Sequence, residues 1–540
     1  MWLKVDGWGI ARRQREWKRP SMTEQKTNRR EFVKSCGAVF AAAAIVPAQL
    51  DGSTTSESED DRVISYPSPK GEILSPDYTV EVNGKSVPVY RVESRWHDKK
   101  YSAAYFDFSG SVTVKIAVNL PEARTDSSLK DLVVLPAKYA IRPVVANGVA
   151  TFTIDRPFNI SFEPTGERSP LHLFANPIET ERPKPDDPGV IYFGPGIHKP
   201  GRIDLTAGQT LYIAGGAIVK AAVTSTGDNI RIMGRGILDG SDWPHFQGPA
   251  TRMVWPSDGR NIVIQDILIR GAWTWTVAPT RCDEVSISNL RICGSRCGND
   301  DGIDPCNSSN VTIRNCFIHT DDDGVAVKGI AAGNQDPKAS ENILVENCTF
   351  WIDYANGFRL GAESRARACR NFVARNIDFI HFPRRSQVAV FFLHPEDNMP
   401  MEDVVFENVR IHGEVVYLAR LMPMDSPSAK QRREQELRAL ANHWKIPGLE
   451  PYPVLAGAGP YIHKATFKDI VVEGSNRMGE PSPKIYLRGL SEVHNVRGIS
   501  FENLLLDGRA LTCESPNVVI GDFVSQVRIN DENVPSCKPR

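Results

Sequence analysis

The sequence lacks an excess of either charge: 64 lysines and arginines face 65 aspartates and glutamates in 540 residues. A chain balanced this closely carries no field that would gather nucleic acid or an anionic membrane, so neither is expected as a partner. Cysteine is scarce, ten in the whole chain. Those ten follow no disulfide-scaffold spacing, and Cys293 and Cys297 lie four apart with no second pair to complete a zinc site. Buried thiols, or one or two bridges, are what remain. Long apolar runs are missing too: past residue 50 nothing is apolar for long enough to anchor the chain in a bilayer. What the chain does have is 41% apolar residues, enough for a large core, and a length that suits several domains or a long repeat array.

The first 48 residues read as an address. Asn28-Arg29-Arg30-Glu31-Phe32-Val33-Lys34 precedes a short alanine-rich stretch, 37–46, in the manner of a twin-arginine export signal. Met22 lies just ahead of it, so residues 1–21 are expected to be an over-extended start. Cleavage near Ala48 would leave a periplasmic or secreted protein with no membrane anchor. A linker is expected over 49–74, rich in Ser, Thr, Glu and Asp at its start. Over 75–180, alternating runs such as 78–82, 111–118 and 150–154 are punctuated by Asn83-Gly84 and Asn147-Gly148. That pattern predicts a small antiparallel β-sandwich.

From about 185 to 535 the chain repeats itself. Eight segments, 262–269, 285–292, 311–318, 343–350, 372–379, 404–411, 465–472 and 499–506, each place an Asn or Asp between two short apolar runs. The fixed residues are Asp266, Asn289, Asn315, Asn347, Asn376, Asn408, Asp469 and Asn503. Most intervals are 23 to 34 residues, one turn of a coil too long for a hairpin and too short for a regular crossover helix. An all-β, right-handed parallel β-helix is the expected fold, each rung burying its face only by stacking on the next. The fixed Asn residues should stack and hydrogen-bond to one another or to turn backbone. Cys316 and Cys348, at the next place in the repeat, are expected to face the core. The long interval before Asp469 implies an insertion at about 413–460, with a helix over 428–444.

Two acidic clusters flank one repeat strand: Asn299-Asp300-Asp301-Gly302-Ile303-Asp304 before it and Asp321-Asp322-Asp323-Gly324 after it. Asp301 and Asp322 are 21 residues apart, close to one coil, so stacking should bring them to one edge. Gathered carboxylates repel unless a cation, proton or substrate relieves them. Glycoside hydrolysis uses that arrangement, one carboxyl kept protonated and another ionised. Solvated turn aspartates, or a calcium site, are the structural alternatives.

The stretch 273–328 resembles the polygalacturonases, family-28 glycoside hydrolases. Trp273 and Trp275 are followed by the Asn299–Asp304 cluster and then by Asp322-Asp323-Gly324-Val325-Ala326-Val327-Lys328 at the family's spacing. The layout, with a sandwich ahead of the coil, is also similar to the dextranase and isopullulanase family, family 49. The resemblance implies inversion, with Asp322 as general acid and Asp301 and Asp323 activating water, and it implies no cofactor and no metal. The partner would be a polysaccharide or oligosaccharide.

The family's Gly-His-Gly and Arg-Ile-Lys motifs are absent; Asn356-Gly357-Phe358-Arg359 stands where the first would be. Arg359 is expected to bind a substrate carboxylate or to hold an aspartate ionised, and Lys328 to do the latter. Trp273 and Trp275, alternating with Thr, are expected to share a face and offer a sugar platform. Asp304 and His381 complete the expected substrate-binding set, with Arg384 and Arg385 behind them. A non-catalytic carbohydrate-binding or adhesive β-helix is one competing reading. A polysaccharide lyase or uronate epimerase on the same architecture is another.

Overall fold

The computed structural model describes residues 62–330, 337–396, 399–424, 460–474, 482–530 and the backbone of 532–533; side-chain statements exclude Ala362. The export signal and the helical insertion over 428–444 lie outside these residues, as does the first half of the expected linker, 49–61.

Sequence alternation becomes a two-sheet sandwich between Val63 and Pro177. Strands Tyr78–Val82 and Val112–Val118 alternate buried and open residues, as expected of a sheet with one face on a core and one in water. They pair with each other, with Lys85–Val87 and with Val149–Ile154, which in turn pairs with Val144–Ala146, all antiparallel. The second sheet runs Val63–Ser65, Tyr101–Phe108, Leu171–Pro177, Phe158–Glu167, Val133–Leu135, with Val89–Val92 also pairing to Tyr101–Phe108. Two features differ from the expectation. Val63–Ser65, placed in the linker, is already a strand on Phe108 to Phe106. Leu171–Pro177 pairs parallel with Tyr101–Phe108, so this sheet is mixed.

Every residue of Tyr101–Phe108 is buried, because the strand has cores on both sides. Ala104, Phe106 and Phe108 face the sandwich interior. Tyr101, Ala103 and Tyr105 pack with Phe317, Trp351 and Ile380 of the coil. Buried polar pairs fix that interface: Arg235 to Asp107 at 2.9 Å, and Asp353 to Lys99 at 2.6 Å and to the Tyr101 hydroxyl at 2.9 Å.

From Val190 onward the strands pair in parallel, rung on rung, as a right-handed parallel β-helix. One rung illustrates the rest. Ser309–Arg314 runs into Asn315, turns to Phe317–Thr320, crosses the loop Asp321 to Gly324, and continues as Val325–Ile330. The six strands Val325–Ile330, Phe358–Arg365, Phe391–His394, Tyr417–Leu421, Lys484–Leu487 and Val518–Ile520 stack into one face. Apolar ladders fill the coil, Phe406, Phe467 and Phe501 stacking with centroids 5.3 and 4.7 Å apart, near the strand spacing.

The recurring Asn or Asp sits at the corner of each rung with positive φ, from 52° at Asn503 to 70° at Asp266. Left-handed backbone costs most L-residues roughly 1–2 kcal/mol but suits Asn and Asp, which explains the spacing. Their side chains also chain together: Asn289 donates to Asp266 at 2.6 Å and Asn503 to Asp469 at 2.8 Å. A second such corner, not evident from the repeat, runs through Asn229, Asn261, Asn310, Asn342 and Asn371, again with positive φ and amide links. Leu290, Cys316, Cys348, Ile377 and Val409 all point into the core, and the eight described cysteines are free thiols.

Candidate active site

The acidic clusters occupy the third corner of the coil, where each rung passes into the face containing Val325–Ile330. Backbone rungs align them: the Thr276 amide donates to the Asp301 carbonyl, Gly302 to Asp323, and Gly324 to Asn356, at 2.8 to 2.9 Å. Glycine follows Asp301 and Asp323 for a steric reason. A Cβ on Gly302 would lie 2.5 Å from the Gly324 carbonyl oxygen, and one on Gly324 would lie 2.8 Å from that of Gly357. The Asp-Gly, Asp-Gly, Asn-Gly column therefore lets the rungs close up directly behind the acids.

Asp301, Asp322 and Asp323 each present an oxygen within 4.8 Å of the others. Asp301 is buried; its Oδ2 accepts from Lys328 Nζ at 2.7 Å and its Oδ1 has no protein partner. Asp323, also buried, accepts on Oδ1 from the Asn356 amide at 3.0 Å and side chain at 2.7 Å, and on Oδ2 from Arg359 at 3.3 Å. Asp322 is half-buried and accepts from the amides of Asn299 and Asp323, each at 2.9 Å. Burial, reinforced by Asp323, pushes the Asp322 carboxyl up to about 7 against the pull of Lys328 and Arg359. Burial likewise pushes Asp301 up to about 8, Lys328 opposing it and Asp322 and Asp323 adding to it. Both shifts have the cause expected of carboxylates crowded away from water.

Asp300 and Asn356 belong to this constellation although the sequence reading gave them no role. Asp300 is buried and gathers the amides of Asp321 (2.9 Å), Asp322 (3.0 Å), Arg296 (2.9 Å) and Cys297 (3.4 Å). It ties the two loops together, while burial pushes its carboxyl up to about 8. The signal for Asn356 was its place, 33 residues after Asp323 and followed by glycine like the other two acids. Only rung register turns that spacing into a contact.

Four expected substrate contacts come out differently. Trp273 is fully buried in the coil core, its indole N–H donating to the Ala250 carbonyl at 2.9 Å, so no sugar can stack on it. The alternation argument failed because 272–276 is an irregular bend, not a strand. Trp275 does reach the acids, but Lys328 and Arg252 sit over its ring at 3.4 and 3.7 Å, filling the space a sugar would need. Asp304 is fully buried behind Lys328 at 3.6 Å, and burial holds its carboxyl well above the usual range. His381 lies at the sandwich interface, 3.0 Å from both Glu163 oxygens and packed on Trp351.

Lys328 is 3% exposed and is spent on Asp301 and Asp304, an internal counter-ion rather than a substrate ligand. Arg359 keeps 29% of its side chain open beside Asp323. The three acids have the spacing to hold a cation, but these two fixed positive charges already offset much of theirs. Chemically, the site joins a carboxyl raised by burial to about 7, Asp322, to a neighbour, Asp323, that accepts hydrogen bonds from Asn356 and Arg359, with Asp301 paired to Lys328 beside them.

Residues 219–372 match the profile of Glycosyl hydrolases family 28. That stretch contains the whole constellation. A probable polygalacturonase of Vitis vinifera is 29% identical over 153 residues, which cover 26% of this chain and 30% of that protein. The matched segment thus spans about a third of the curated relative. Among solved structures, Dex49A from Penicillium minioluteum superposes over 86% of this chain and 96% of its own, with a TM-score of 0.59 at 15% identity, a likeness of fold. An exopolygalacturonase from Thermotoga maritima covers 64% of this chain and 84% of its own, with a TM-score of 0.46 at 18% identity.

Proposed function

We propose that the protein is an inverting, polygalacturonase-like glycoside hydrolase acting on a polysaccharide or oligosaccharide. Asp322 is the general acid, and Asp301 and Asp323 hold and activate the attacking water, with Asp323, fixed by Asn356 and Arg359, as the acceptor of its proton. The observation that carries the reading is the pairing of a half-buried carboxyl raised to about 7 with a neighbour held by Asn356 and Arg359, in the segment with the family-28 match.

An acidic, pectic substrate is favoured over a neutral α-glucan by the arginines of the same face. Arg359, Phe392 and Arg420 follow one another in register on successive rungs. Arg420 and Arg252 have no carboxylate partner among the described residues, and each has a buried Nε without a hydrogen bond. Guanidinium groups left in this state suit a ligand that brings its own carboxylates. Reducing-end release from polygalacturonate and from dextran tests this. Polygalacturonate cleavage that weakens on Arg420→Gln supports the acidic substrate, whereas dextran cleavage alone would replace it with the glucan reading. The twin-arginine stretch supports export, which cell fractionation with Arg29→Lys, Arg30→Lys would test.

A further inference from the structure

The sandwich touches the coil at a place more telling than their shared apolar interface. The loop joining strands Val89–Val92 and Tyr101–Phe108 lies against both loops that carry the acids. Ser94 forms a parallel bridge with Ser295, the Arg95 amide donates to the Ser295 carbonyl at 2.8 Å, and Glu93 pairs with Arg296 at 2.7 Å. Ser295 and Arg296 lead directly into the Asp300–Asp301 turn. On the other loop, Asp321 Oδ1 has three partners: it accepts from Trp96 Nε1 at 3.0 Å and the Ser295 hydroxyl at 3.2 Å, and it is ion-paired with Arg95, whose Nε lies at 3.1 Å. Two of the three come from the sandwich. The Arg95 guanidinium also lies 4.7 Å over the ring of Tyr354, one rung on, and Arg385 covers that ring at 3.3 Å.

Asp321 is fully buried, and its second oxygen has no partner. A buried carboxylate is expensive unless its donors are kept in place, so removing them should move the loop rather than merely loosen the interface. That loop is short. Asp321 and Asp322 share the Asp300 Oδ1 acceptor through adjacent amides, and Asp323 donates to Asp322. A shift of Asp321 is therefore transmitted to the general acid through a single peptide link.

We propose that the 93–100 loop of the sandwich is a working part of the active site, with Arg95 and Trp96 as positioning residues that set Asp322 and Asp323 by gripping Asp321. The proposal rests on the hydrolase reading above. It assigns the sandwich a role in turnover and not only in assembly, and it makes the acid centre depend on contacts between residues more than 200 positions apart in the chain.

The test is steady-state kinetics of the full chain with Trp96→Phe, Arg95→Gln and Arg95→Lys on the substrate that the wild type cleaves. Trp96→Phe keeps an aromatic ring at this place and removes the indole N–H donor. Misplacement of a catalytic group on this scale should lower kcat roughly tenfold to a hundredfold. KM should be unchanged and Arg95→Lys should recover part of the loss. The pH profile adds a readout that simple adhesion would not move. Asp321 faces Arg95 and Trp96 from the sandwich, Ser295 and Asp300 from the preceding rung, and Asp353 from the next. With a donor gone it binds its proton more readily, one negative charge near Asp322 is lost, and the basic limb of kcat moves to lower pH. Unchanged kcat and pH profile in both Trp96→Phe and Arg95→Gln, with only the melting temperature lowered, would overturn the proposal while leaving the hydrolase intact. A wild type without glycosidase activity would overturn both.

Discussion

Two of the corners at which the coil stacks short polar residues treat them in opposite ways. At the corner of Asp266, Asn289 and Asn503, side-chain amides donate to the acceptor one rung back, Asn289 to Asp266 and Asn503 to Asp469, and the residues supply the left-handed backbone that the turn needs. At the corner of Asp301, Asp322 and Asp323, acceptors meet acceptors. None of the three acids can donate to another without a proton, and the donors that relieve them come from Lys328, Asn356 and Arg359. The first corner is the cheap way to stack polar groups at the strand spacing. The second stores repulsion, which adds to burial in lifting carboxyl pKa values into the range where acid and base catalysis work.

Making the acid corner resemble the amide corner is the most severe way to break this contrast. Asp322→Asn keeps an acceptor for one of the two backbone amides that bond to the carboxylate and relieves one repulsive charge. Turnover should fall by about 10²–10⁴-fold, the usual weight of a general acid, with the melting temperature held or raised. Lys328→Met does the reverse, leaving Asp301 and Asp304 without their cation. Breaking a buried pair from one side typically costs about 3–5 kcal/mol, so chemical denaturation should show a large loss of stability together with loss of activity.

Next in size is a pH effect. A carboxyl whose folded pKa is raised binds its proton more tightly in the folded state. Its contribution is whole below the unfolded value, about 4, and is lost as pH rises through the folded value. For Asp322 and Asp301 that window runs up to about 7 and about 8. Glu167, lowered to about 2 chiefly by its hydrogen bond to His381, acts in the opposite sense, losing stability as pH falls below about 4. Melting curves from pH 5 to 8 should therefore fall less steeply for Asp322→Asn than for the wild type, and identical slopes would count against the raised pKa.

The amide corner gives the smallest effect. Asn376, with φ of 55°, donates to Asn347 at 2.5 Å. Asn376→Ala should cost roughly 1–2 kcal/mol through left-handed strain. Asn376→Gly should cost less, and neither should change activity, which thermal melts and initial rates would establish together.

How far these corners could be read from the sequence follows from their physics. The amide corner was legible because one residue type recurs in one backbone conformation every rung, and the acids because their Asp-Gly turns sit one coil apart. The second asparagine corner was hidden by Glu284 and Lys464, which occupy its place on two rungs with the same positive φ. Trp273 misled because alternation tells facing only within a strand. Asp300 and Asn356 act through backbone amides of neighbouring rungs, and the grip of Arg95 and Trp96 on Asp321 depends on how the sandwich docks, which no local pattern encodes.

The account turns on the stereochemistry of the reaction. Nearest oxygens of the three acids lie within 4.8 Å, short of the roughly 6.5–9.5 Å that lets water stand between the two carboxyls of an ordinary inverting enzyme. Inversion at this spacing requires the water to be held beside the acid, between Asp301 and Asp323. Proton NMR of the first anomeric product, with wild type and Asp322→Asn run on the same polysaccharide, tests this directly. A new reducing end of inverted configuration, absent with the variant, is the expected result. Retained configuration, or an equally active Asp322→Asn, would contradict it.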